Sequence, residues 1–92
     1  MKITRAAVKF TNLNEPEKSK WRHQIKIGWR HSEILYDMRD DGIIYDRSDY
    51  EFGFITDEKP MHFVDRQEAA KIAYEAGQIS ELKDNLYSED LW

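Results

Sequence analysis

Arg30, His31 and Arg66 are the residues of this chain best suited to hold an anion, because each stands where the sequence pattern starts a helix. An arginine fork matches phosphate oxygens in bidentate fashion, and the first N–H groups of a helix, which lack intrahelical partners, add directed donors at its positive end. The start at Arg66 is the better defined of the two. Asp65 and Glu68 have the three-residue spacing of a capping box, and Ala69, Ile72, Ala73 and Ala76 recur at i, i+3, i+4 and i+7 before Gly77. That spacing predicts a helix from Arg66 to Ala76 with Asp65 as its N-cap and a narrow alanine-rich stripe able to lie close to a sheet. The plainer account of these cations is a salt bridge from Arg66 to Glu33, Asp65 or another acid, with Arg30 a surface charge and His31 a packing residue.

Aromatic residues gather near the same segments. Tyr50 and Phe54, with Phe63 nearby, offer a face on which a purine can stack, an interaction worth about 1–3 kcal/mol per base in single-strand binders. Thr56 and Asp57 follow at the strand's end, with groups able to hydrogen-bond a ribose or a base edge. At strand spacing an aromatic stripe is more often core, which is the favoured reading of Phe52 and Phe54, and turn formation is the simpler account of Asp57. Catalytic groups are scarce. His23, His31 and His62 lie far apart, no H-x-x-x-H or H-E-x-x-H spacing occurs, and there is no Gly-rich phosphate loop or G-x-S-x-G elbow. With no cysteine either, the chain nominates no catalytic set, no metal site and no cofactor.

Composition narrows the partners. Fourteen basic against 18 acidic residues give a formal charge of −4, without the basic footprint of a general nucleic-acid binder. The opening MKITRAAVKF is too short and charged for a signal peptide, and no apolar run reaches membrane-spanning length, so a cytoplasmic protein without membrane association is expected. Ninety-two residues make one domain, 1–92, too small to enclose a deep cleft of its own. A ligand is then best buried between subunits, which leads us to expect a homo-oligomer.

The elements that must position these residues follow from periodicity. Residues 2–10 read as a strand, 11–20 as a charged loop, and 21–29 as a strand alternating Trp21, His23, Ile25 and Ile27 against polar neighbours. Ser32 is placed to cap a short helix with Ile34, Leu35 and Met38 on one face, ending near the DDG at 40–42. Residues 43–56 read as one or two strands interrupted at the polar RSD, and HFV at 62–64 as a short edge strand before the Arg66 helix. Leu82, Leu86 and Leu91 anchor the final segment, whose apolar content predicts a docked terminus. The order β-β-α-β-β-α implies an α+β fold: a small antiparallel sheet with about two helices packed on one face.

Four segments, RHSEIL at 30–35, FGFIT at 52–56, FVDRQEAAKIAYEAGQ at 63–78 and LYSEDLW at 86–92, together cover about half the chain. They resemble a family of small phage proteins in which an RH-x-x-I segment precedes a GFIT-like strand, an FVDR-x-EA helix and an LYSEDLW terminus. That family is similar to the first Thoeris anti-defence proteins, which sequester nucleotide signals of bacterial immunity. The resemblance implies a non-enzymatic phage protein acting in the host bacterial cytoplasm, which binds a small cyclic nucleotide such as a cyclic ADP-ribose isomer without hydrolysing it. Arg30, His31, Phe54, Thr56, Phe63 and Arg66 would line the ligand site, with Arg30 and Arg66 meeting on one anion. The short DEKPMH stretch and the charged 11–20 loop depart from the pattern and bear on the shape of any pocket. The alternative is a protein–protein inhibitor of a host defence or CRISPR effector, and a nucleotide-degrading enzyme would need a His and a carboxylate within reach in a cleft.

Overall fold

The computed structural model describes residues 1–92. Its centre is a long strand, β1 (Ile3–Asn12), whose alternate residues Ala6, Val8 and Phe10 point to the buried face. Strand β2 (His23–Gly28) runs antiparallel along one side of it and β3 (Tyr45–Thr56) along the other, while β4 (Phe63–Asp65) closes the far edge, giving the order β2-β1-β3-β4. Helices α1 (His31–Asp40) and α2 (Arg66–Glu75) pack on the same core, and a 3-10 turn (Ser88–Asp90) ends the chain. The fold is thus the expected small α+β arrangement. No helix is long and apolar enough to cross a membrane.

Ile34 and Met38 of α1, Ala69, Ala70 and Ala73 of α2, Phe54, Val64 and Leu86 join the β1 residues in one buried cluster. Alanines with no side chain beyond Cβ let α2 approach the sheet closely. The stripe is rotated from the expected one: Ala70 is buried, Ile72 only partly, and Ala76 is an exposed C-cap, with Gly77 taking the left-handed conformation (φ 74°) that ends the helix.

Of the one or two strands expected over 43–56, one forms, at 45–56, with the polar RSD residues taken up as an irregularity opposite Phe10–Asn12, where Ser48 turns its N–H and hydroxyl to the Asp46 carboxylate. Two local expectations are corrected. Ser32 does not cap α1. The N-cap is Arg30, with no side-chain cap of its own, and the N–H of His31 is instead met at 3.4 Å by the hydroxyl of Ser88 from the chain terminus. Leu82 is 59% exposed and anchors nothing, whereas Leu86 is fully buried.

Candidate functional site: an arginine between two rings

The site arises where β4 stops. Only Gly53 to Ile55 of β3 have partners on β4, so the edge of β3 at Tyr50–Phe52 has no neighbouring strand just where the chain turns from Asp65 into α2. Asp65 is the expected cap: its Oδ1 accepts the N–H of Glu68 at 2.8 Å, although the return bond from the Glu68 side chain is not made. A groove of about 500 Å³ results, lined by Tyr50, Glu51, Phe52, Asp65, Arg66, Gln67 and Asn85.

Arg66 sits at its centre. The guanidinium carbon lies 4.9 Å from the Phe52 ring centroid and 4.8 Å from that of Tyr87, so two aromatic rings hold the group by cation–π attraction. No carboxylate stands within 4.0 Å of it, unlike Lys26, Lys83 and His62, and its buried Nε has no hydrogen-bond partner. The salt bridge that would account for it plainly is therefore not formed. As the first residue of α2, Arg66 also brings the N–H groups of the opening turn to the groove.

The four sequence motifs meet around this arginine. Phe52 stacks on His31 (centroids 4.9 Å apart, planes at 12°), Phe54 meets the same imidazole edge-on at 5.0 Å, and Nε2–H of His31 donates to the Gly53 carbonyl at 2.8 Å. That bond sets the neutral tautomer. Burial, helped by the nearby Arg66 charge, pushes the His31 pKa below the ordinary histidine value, while the Gly53 carbonyl and Glu89 pull the other way. The terminal segment crosses both helix starts. Leu86 N–H donates to the Arg66 carbonyl at 3.0 Å, Tyr87 faces the Arg66 guanidinium, Ser88 meets His31, and the Trp92 main-chain oxygen accepts from Arg30. Trp92 further packs edge-on against Trp29, whose other contact is the Arg5 guanidinium, 3.7 Å from its ring centroid.

The residues singled out from sequence thus have different placements. Arg66 lies open to the groove. Arg30 belongs to the same constellation but donates from Nη2 to the Trp92 main-chain oxygen, and His31 is buried behind Phe52. Phe54 has no exposed surface, and Thr56 is buried with its hydroxyl accepting the Glu58 N–H, so neither offers a surface to a ligand here. Phe63 is on the opposite side of the sheet, paired with Ile55 and lying over Gly53, where any Cβ would collide with its ring. The accessible rings are Phe52, Tyr50 and Tyr87, the last 47% exposed. Phe52 shares the alternation of Tyr50 and Phe54, and Tyr87 lies in LYSEDLW, so both carried a signal; which ring stays open depends on where β4 ends.

A second hollow of about 400 Å³ holds His23 and Asp49 bridged by Thr11. The Thr11 hydroxyl donates to Asp49 at 2.9 Å and so accepts from His23 Nδ1 at 3.3 Å. These bonds tie β2, β1 and β3 together at one end of the sheet. No cluster of three or more His, Asp or Glu side chains is placed to hold a metal ion.

Fold and site together define a small α+β protein with a surface groove built around a ring-flanked arginine at a helix start. A family model described as phage T4 y16D protein matches residues 2–92, and the chain belongs to that family of phage proteins. Neither curated proteins nor solved structures provide a match.

Proposed function

We propose that this phage protein binds a small cyclic nucleotide signal of host immunity, such as a cyclic ADP-ribose isomer, and sequesters it without hydrolysis. The observation that carries the reading is Arg66: a guanidinium presented between two rings, with no acid paired to it, beside the N–H groups of a helix start, of which that of Glu68 is taken by Asp65. A phosphate fits the fork and those N–H groups, and a base fits the exposed faces of Tyr50 and Tyr87. Glu51 and Asp65 in the same groove disfavour a bare anion but accept from ribose hydroxyls or an exocyclic amine. A nucleotide carries both kinds of group. A sequestering protein needs tight binding and slow release rather than transition-state complementarity, which suits a groove with no acid–base pair beside Arg66.

The test is mass spectrometry of small molecules released by heat from protein purified after expression beside an active nucleotide-signalling defence system. An intact nucleotide released from wild type and absent from Arg66→Ala is expected. Release of nothing, or of a hydrolysed product, overturns the proposal.

A further inference from the structure

The sheet leaves main chain unpaired in two places: on β3 before Gly53, where the Arg66 groove lies, and along the whole outer side of β2. Strand β4 is three residues long and runs straight into α2, whereas β2 has six residues and only β1 as a neighbour. The Arg22 carbonyl accepts the Asn12 N–H at 2.7 Å, so by alternation Gln24, Lys26 and Gly28 turn their main-chain groups toward β1. His23, Ile25 and Ile27 then point theirs off the edge.

Their side chains share the sheet face opposite the helices, level with Thr11, Lys9 and Ala7. Ile25 is 47% and Ile27 40% exposed, and Trp21 and Trp29 stand exposed just beyond the two ends of the strand. Natural edges are usually guarded by a charge or a proline. The one charge within β2, Lys26, is on the other face and is held by Asp41 at 3.0 Å.

We infer that β2 is a homodimer interface, in which the β2 edges of two copies pair antiparallel about a two-fold axis at Ile25. The occupant is a second copy because the strand is complementary to itself in that register. Residues 23, 25 and 27 of one copy exchange main-chain bonds with 27, 25 and 23 of the other. Ile25 meets Ile25, Ile27 meets His23, and on the opposite face Lys26 meets Gln24, so no like charges are set directly across. Trp21 of each copy then falls level with Trp29 of its partner, adding an aromatic pair at both ends. The result is a continuous eight-stranded sheet with an isologous contact. This inference does not rest on the nucleotide reading: Arg66 lies by β3 and α2, beyond β1 from the dimer edge.

The test is sedimentation and light scattering on the full chain. Wild type is expected at twice the chain mass in the micromolar range, and Ile25→Lys and Ile25→Glu at single-chain mass with unchanged circular dichroism. Because position 25 faces its own counterpart, mixing the two variants should restore dimers of one Lys and one Glu chain. A monomeric wild type, a dimeric Ile25→Lys, or two folded variants that fail to associate on mixing would each overturn the interface. The wild-type mass decides even if a variant does not fold.

Discussion

Replacing Arg66 with alanine separates a ligand group from a structural one. Two cation–π contacts are lost, at about 0.5–1 kcal/mol each for partly exposed pairs, or about 1–2 kcal/mol together. Two costs disappear with the side chain. A buried Nε without a partner is a penalty of about 1–3 kcal/mol, and a cation at a helix N-terminus opposes the dipole by about 0.3–1 kcal/mol. The relieved costs match or exceed the lost contacts, so Arg66→Ala is expected to lower unfolding free energy by no more than about 1 kcal/mol and can raise it by up to about 3 kcal/mol, each 1 kcal/mol moving the melting temperature of a domain this size by about 4–8 °C. Urea unfolding followed by circular dichroism measures it, with an unchanged m-value showing that the same surface is exposed. A loss above about 3 kcal/mol would refute the reasoning and make Arg66 a pin for Tyr87 and the terminal segment.

By contrast, Leu86→Ala removes a fully buried anchor of that segment and should cost about 2–5 kcal/mol in the same assay. Asp65→Ala removes the cap on Glu68 N–H and should cost about 1 kcal/mol while leaving the helix in place by circular dichroism. The lowered His31 pKa makes stability depend on pH: below 6.5 the unfolded chain binds a proton that the folded one resists, so stability is full above 6.5 and falls as pH drops from there toward the folded pKa. His31→Gln should flatten that slope below about pH 6.5, whatever its effect on absolute stability.

The parts of the fold set by local chemistry were legible in the sequence. Asp65, the alanines and Gly77 announce α2 because cap, stripe and terminator are neighbours along the chain. Features set by distant contacts were not. Ser32 is an adequate cap by type, but Ser88 takes that place from 57 residues away, and Arg30 is turned to Trp92 by the same docking. Period two marks Phe52 and Phe54 alike; Phe54 is sealed under the helices, and Phe52 stays accessible only because β4 pairs no further than Gly53. Leu82 has the hydrophobicity of an anchor, yet the segment leaves the surface only at Leu86, beneath the first turn of α2.

Calorimetric titration of cyclic nucleotides and cyclic ADP-ribose isomers into wild type and Arg66→Ala tests the central claim most directly. The account predicts saturable binding of at least one of them to wild type. It also predicts a loss of roughly 10–100-fold in affinity for Arg66→Ala, the range of about 1.5–3 kcal/mol for a charge-assisted hydrogen bond. Absence of binding by every nucleotide, or binding that Arg66→Ala leaves unchanged, would contradict it.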